Sequence, residues 1–271
     1  MVGAATRNWS LARSGVIARS MIASKFGNLR AADGSPTSDG RPEYVKACCE
    51  RSLKRLETDV IDLYYIHRVD PTVPIEDTVG AMGDLVRQGK VRHLGICEAG
   101  AATIRRAHAA HPLSAVQIEY SLWTRDVEAE ILPLCEELAI GFVAYSPLGR
   151  GFLTGKITDG ATLRAGDARR NMPRFRGDNL RPNLTLVEKL KELAAVEKCT
   201  PAQLALAWVL SRAPYVVPIP GTSHRRWLEE NAAAASLRIS ADTEDALLQV
   251  FAPGAASGLR YPENHLKRLG I

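Results

Sequence analysis

Three observations predict an α/β fold of the (β/α) barrel type. Short apolar strands alternate with amphipathic helical segments along most of the chain. The strands are nearly continuous in apolar residues, as in a parallel sheet covered by helices. Their ends carry polar groups: Lys25, His67, Cys97 and Glu98, Gln117 and Glu119, Tyr145 and Ser146, Gly221 and Thr222. A barrel collects its chemistry at the C-terminal ends of its strands. The competing doubly wound sheet is disfavoured because no G-x-G-x-x-G follows the first strand.

Each element has a local warrant. Met21 to Lys25 reads as a strand ending at Gly27, followed by a Gly/Ser/Pro-rich loop over residues 33–40. A helix is predicted from Pro42 to Leu56, with Val45, Cys49, Leu53 and Leu56 on one face and proline near its start. Ile61 to His67 is rich in strand formers. Ile75, Val79, Met82 and Val86 then form a helical stripe that Gly89 is placed to end. A strand over Val91 to Cys97 and a helix around 101–110 follow. Next come a strand over Ala115 to Glu119, one helix carrying Val127, Ile131, Leu134 and Leu138, and a strand from Gly141 to Ser146.

A basic, Gly-rich stretch over residues 147–182 interrupts the alternation. Its part over residues 164–181 carries Arg164, Arg169, Arg170, Arg174, Arg176 and Arg181, interleaved with one aromatic, Phe175, and with Asp167 and Asp178. That composition fits a solvated loop near a ligand mouth better than a nucleic-acid surface. Two helices follow, the second opening with the capping-box pattern Thr200-Pro201-Ala202-Gln203. A strand over Val216 to Pro220, a helix over 224–236 and a loop-like tail after about residue 252 complete the chain.

With 271 residues, 46% hydrophobic and 24% charged, the chain has room for one large α/β domain, so residues 1–271 are expected to form a single domain. A net charge of +5 is too small to argue for nucleic acid, and no apolar run is long enough for a membrane span. The first 32 residues hold five basic and no acidic residues, a balance found in transit peptides, but their apolar stretch runs straight into a strand of the fold. Cys48, Cys49, Cys97, Cys135 and Cys199 show no metal-binding spacing and fit a reducing, cytoplasmic setting.

The segments ASKFG (23–27), DLYYIHRVDP (62–71), VQIEYSLWTRDVE (116–128), AYSPLGRGFLTG (144–155), CTPAQLALAWVL (199–210) and PIPGT…LEEN (218–231) are specific. In them the chain resembles the aldo-keto reductases, particularly the bacterial and plant branch acting on small aldehydes and ketones. The resemblance implies a (β/α)8 barrel that transfers a hydride from NADPH to a small-molecule carbonyl substrate. Hydride attack places negative charge on the carbonyl oxygen, so a proton donor and polarising groups must meet that oxygen. Lys25 and His67 match the family's catalytic lysine and histidine.

On the cofactor side, Tyr145 matches the residue stacking on the nicotinamide, and Gln117 the amide that bonds its carboxamide. Cys97 stands where a serine is usual. Ser146, Leu148, Gly149 and Arg150 resemble the loop over the pyrophosphate. Gly221, Thr222, Ser223, Arg226, Glu230 and Asn231 resemble the segment holding the adenosine and its 2′-phosphate. Ser223 replaces a common lysine, for which Arg225 or Arg226 would compensate, so NADPH is expected over NADH.

The family's D-x-A-x-x-Y-G segment, which carries the aspartate and the proton-donor tyrosine, does not occur in the sequence. Tyr65 shares the inward face of His67 but lies one layer deeper, whereas Tyr64 should point outward into the helical layer. The expectation is an N-terminally shortened member with six β/α units, lacking strands 1 and 2 of the eight. Its exposed barrel edge would favour oligomerisation or poor solubility, and its reductase activity would be impaired. The alternative is a catalytically weak or inactive NADPH-binding regulatory module.

Overall fold

The computed structural model describes residues 21–159, 163–266 and 269–270. They fall into two compact units, one up to Ser114 and the other Ala115–Gly270.

In the first unit, β1 (Ala23–Phe26), β4 (Ile61–Ile66) and β5 (Val91–Cys97) are parallel neighbours, with Lys25 opposite Tyr65 and Tyr65 opposite Gly95. Three helices alternate with these strands: α1 (Pro42–Leu56), α2 (Ile75–Arg87) and α3 (Ala101–Ala110). Pro42 opens α1, whose last turn carries Lys54 and Arg55, where cations complement the helix dipole. The buried stripe of α2 includes Ile75, Val79, Met82 and Leu85, each worth about 1.5–3 kcal/mol on burial. Gly89 lies just beyond its end at φ 73, a turn that returns the chain to β5 two residues later.

The alternation of β4 separates two adjacent tyrosines. The Tyr64 hydroxyl donates to the carbonyl of Val45 in α1 at 3.2 Å, so this ring faces the helical layer as expected. Tyr65 faces the other way, towards Lys25. Between β1 and α1, the expected plain loop contains a small antiparallel hairpin, β2 (Leu29–Arg30) and β3 (Pro36–Thr37). Its turn contains Asp33-Gly34 with glycine at φ 82, a dipeptide suited to such a conformation.

In the second unit, β6 (Ala115–Glu119), β7 (Gly141–Tyr145) and β8 (Val216–Pro218) are parallel, with Gln117 opposite Val143 and Glu119 opposite Tyr145. Two helices pack together after the long loop: α5 (Leu180–Val196) and α6 (Pro201–Ser211). The capping box of α6 is formed, with Gln203 N donating to Thr200 Oγ1 at 3.2 Å and Thr200 N to Gln203 Oε1 at 3.0 Å. Trp208 of α6 is fully buried against Tyr120 at 5.5 Å between ring centroids. Val217 and Ile219 on and beside β8 are exposed.

Several boundaries differ from the sequence reading. The single helix expected over Val127 to Leu138 is a 3-10 turn, Asp126–Glu128, and a separate helix α4 (Ile131–Glu137). Pro133 explains the break, because its ring clashes with the carbonyl four residues earlier, at Ala129. β8 ends at Pro218 rather than Pro220, since prolines cannot donate to a ladder. After β8, α7 (Arg225–Ala233) ends in a 3-10 turn, Ala234–Ser236. Two further helices, α8 (Ala241–Val250) and α9 (Glu263–Leu266), occupy a region in which no helix was expected. The start of α8 is marked by Ser240, which accepts from Thr243 N, and by Asp242 and Glu244 in the first turn.

Thr200→Ala removes the α6 cap and is expected to cost about 1–2 kcal/mol of unfolding free energy, with Thr200→Ser restoring most of it. Denaturant unfolding of both variants checks this, and no loss in Thr200→Ala would contradict it.

Candidate active site and nucleotide cavity

In the first unit, three parallel strands deliver Lys25, His67 and Cys97 to one end of the sheet. The Lys25 ammonium lies 5.2 Å from the centroid of the Tyr65 ring, and the backbone N–H of His67 donates to Phe26 O at 2.8 Å. Cys97 is buried, and burial pushes its thiol up to about 12, with Lys25 and Arg68 pulling the other way and Glu98 reinforcing the rise. It is therefore a neutral, weakly polar group rather than a reactive thiolate.

In the second unit, the chain after β7 runs through a sequence of unusual backbone conformations. Ser146, Gly149, Arg150 and Gly151 have φ of 50, 55, 55 and 93. A Cβ on Gly149 would lie 2.5 Å from Trp123 Nε1, so the indole packs flat on this glycine. Left-handed backbone is costly for Ser146 and Arg150, and it persists where the surroundings over-determine it.

The anchor is Arg150. Its Nη2 donates to Glu119 Oε2 at 2.7 Å and its Nη1 to Glu119 Oε1 at 3.2 Å, on a carboxylate with no solvent exposure. Nη1 also donates to Arg260 O at 3.2 Å. The guanidinium carbon of Arg150 lies 4.5 Å from the centroid of the Tyr261 ring. Burial alone would lower the Arg150 pKa, but Glu119 and its tyrosine neighbours raise it overall, so the charge is firmly held. From the other side, Arg169 Nη1 donates to Arg150 O at 3.0 Å. Arg169 also forks onto Asp167, whose carboxyl it holds down at about 2.

The Arg-rich stretch is therefore not uniformly solvated. Arg174 is buried, donating to Thr124 Oγ1 at 2.6 Å and Gly258 O at 3.1 Å, over the Trp123 ring. Burial lowers its pKa, with Arg150 and Arg260 adding to the effect against Glu119 and Asp126.

These elements wall a cavity of about 890 Å³, within the range of small-molecule and cofactor pockets. Of the residues singled out from sequence, Tyr145, Ser146, Leu148, Arg150, Gly221, Thr222, Ser223, Glu230 and Asn231 line it. Gly149 lies behind the wall against Trp123, and Gln117 sits on β6 with only 7% of its surface exposed. Arg226 stacks on Trp227 at 4.0 Å. α7 is tied to α6 by Thr200 Oγ1, which donates to Glu230 Oε1 at 2.8 Å, and by Gln203 Nε2, which donates to Glu230 O at 3.2 Å.

Sequence reasoning missed Lys156, Arg169 and Trp227, which also line the cavity. Lys156 lies over the Trp227 ring, and burial lowers its pKa, opposed by Glu230 and assisted by Arg226. A lysine directly after the glycine-punctuated FLTG segment was the available signal. Lys156, Arg150 and Arg169 line the cavity together with Glu230, Arg150 paired with Glu119 and Arg169 with Asp167, and guanidinium and ammonium groups of this kind suit phosphate.

The model of the Aldo/keto reductase family matches residues 1–250. A probable aldo-keto reductase of Glycine max is 49% identical over 245 residues, covering 89% of this chain and 69% of the relative. Among solved structures, the glycerol dehydrogenase of Gluconobacter oxydans superposes with a TM-score of 0.79 at 26% identity, over 86% of this chain and 72% of that one. A thermostable aldo-keto reductase solved with the inhibitor epalrestat gives 0.63 at 30% identity, over 78% and 67%.

Gly149→Ala combines a positive φ with the Trp123 contact and is expected to destabilise by about 2–4 kcal/mol. Gly221→Ala, whose Cβ would meet open space, should stay within about 0.5 kcal/mol of the parent. Chemical denaturation of the pair decides it, and equal stabilities would contradict the packing described.

Proposed function

Because the chain belongs to the aldo/keto reductase family, a family of NAD(P)H-dependent oxidoreductases acting on carbonyl compounds, we propose that it binds NADPH and reduces small aldehydes or ketones. The observation that carries the reading is the cavity after β7, whose lining of Tyr145, Arg150, Lys156 and Arg169 supplies the kinds of group that a dinucleotide's rings and phosphates require. The cofactor supplies the hydride.

In this reading the chain's own residues divide the remaining work. Tyr145 offers a ring face to the nicotinamide and Gln117 an amide, donor and acceptor together, to its carboxamide. Cys97 stands in the position where the family usually has a serine, as a passive neutral group. Ser146, Leu148, Gly149 and Arg150 form the strip along the pyrophosphate. Gly221, Thr222 and Ser223 precede α7, whose N-terminal N–H groups favour an anion. Arg226 and Lys156 add charge for the 2′-phosphate, which favours NADPH over NADH, and Glu230 and Asn231 face the adenine end. Lys25 and His67, at the strand ends of the first unit, are assigned to the substrate carbonyl by the family match. Residues 1–271 act as one barrel-type domain, with no nucleic-acid partner, and the five free cysteines suit a cytoplasmic setting. Among the described residues no helix is long and apolar enough to cross a membrane, and no membrane partner is proposed.

A second reading rests on the proton donor. The 271 residues contain no D-x-A-x-x-Y-G segment. Tyr65, the tyrosine beside Lys25, is only 1% exposed and poorly placed to meet a substrate. This favours weak turnover or a purely NADPH-binding regulatory role.

Calorimetric titration with NADPH and NADH, paired with a steady-state assay on a generic aldehyde, separates the readings. Tight NADPH binding is expected in both readings, with aldehyde reduction in the first and weak or no turnover in the second. Arg226→Ala should narrow the preference over NADH. Full turnover would remove the regulatory reading, and failure to bind either nucleotide would overturn both.

A further inference from the structure

The C-terminal segment around residues 257–261 is fastened to the cavity wall at several points. Asn183, fully buried in α5, donates to Ser257 O at 2.9 Å and accepts from Ser257 N at 2.8 Å. Arg174 Nε holds Gly258 O at 3.1 Å, and Arg150 Nη1 holds Arg260 O at 3.2 Å. These bonds deliver Tyr261 to one place. Its ring lies 4.5 Å from the Arg150 guanidinium, and its hydroxyl is 3.2 Å from the hydroxyl of Tyr145.

A tyrosine ring on an arginine face is a favourable, oriented contact, and a hydroxyl pair holds the far ends of the two rings in place. Two of the residues that Tyr261 contacts, Tyr145 and Arg150, line the cavity. Tyr145 presents its ring face, and Arg150 shapes the strip beside it.

We propose that Tyr261 is a positioning residue for the cofactor: it sets the orientation of the Tyr145 ring and seats Arg150, and so tunes affinity for the nicotinamide half of the dinucleotide. The inference rests on the NADPH reading given above. The Tyr261 hydroxyl acts through Tyr145, so its effect belongs to the nicotinamide end and leaves the adenosine end alone, whereas the ring acts through Arg150. The segment that carries it lies 116 residues from Tyr145 in sequence and is held by α5. Through that segment, the packing of the C-terminal region is linked to nicotinamide binding.

The test uses the full chain and two ligands, NADPH and 2′-phospho-ADP-ribose, which lacks the nicotinamide. Binding is measured by calorimetry for the parent, Tyr261→Phe, Tyr145→Phe and the double variant, alongside thermal midpoints. Tyr261→Phe keeps the ring on Arg150 and removes only the hydroxyl. It is expected to weaken NADPH about three- to tenfold, the scale of one lost hydrogen bond. Tyr145→Phe should do the same, and the double variant should be no weaker than either single one, since both remove the same link. Affinity for 2′-phospho-ADP-ribose should not change. Tyr261→Ala, which also removes the ring, should weaken NADPH further.

Unchanged NADPH affinity in Tyr261→Phe, additive losses in the double variant, or equal losses for both ligands would overturn the proposal. A parent protein that binds 2′-phospho-ADP-ribose but not NADPH overturns it as well. A parent that binds neither ligand shows instead that the NADPH reading itself has failed.

Discussion

The ion pair between Glu119 and Arg150 is the interaction on which the wall of the cavity after β7 depends. Placing a carboxylate beyond the reach of solvent carries a desolvation cost of several kcal/mol, which only close, well-aligned partners offset. Here the partner is a guanidinium bonded to both carboxylate oxygens and further satisfied by a backbone carbonyl and an aromatic face. Deleting one member would strand the other as a buried charge, a loss of about 3–5 kcal/mol. The pair is thus less a source of net stability than a constraint, since few other arrangements of the loop can satisfy both charges.

That constraint explains the conformation of the residues between Tyr145 and Gly151. Left-handed backbone at Ser146 and Arg150 is unfavourable in isolation. Glu119 fixes the Arg150 side chain, Arg169 fixes its carbonyl, and Trp123 fixes Gly149 from below. The chain between these points has little freedom left. A cavity wall prepared in this way needs less ordering when a ligand arrives, which is the energetic advantage of preorganisation. The cations left around it, Lys156 and Arg226 among them, then act on a surface already in place.

Much of this architecture was legible in the sequence. The helices Pro42–Leu56 and 101–110 and the strands Val91–Cys97 and Ala115–Glu119 have the predicted bounds, because period, capping and turn residues agree locally. The outward Tyr64 and inward Tyr65 followed from strand alternation alone. The break at Pro133, the Asp33-Gly34 hairpin and the Ser240 cap were written in local chemistry too, but each had been overridden by a longer pattern. The motif resemblance marks nine of the residues that line the cavity.

What could not be read were the pairings between distant segments: Glu119 with Arg150, Asn183 with Ser257, and Tyr145 with Tyr261. No periodicity encodes a contact across 31, 74 or 116 residues. Arg174 makes the same point, since a basic loop suggests solvent and only the fold shows one of its arginines buried. Glu119→Gln offers the most direct test of the account, because this side chain has no solvent exposure and cannot touch a ligand. With far-UV circular dichroism unchanged, the variant should bind NADPH at least about tenfold more weakly than the parent, one order being about 1.4 kcal/mol. Parent-like affinity in a folded Glu119→Gln protein would contradict the claim that this ion pair shapes the cavity.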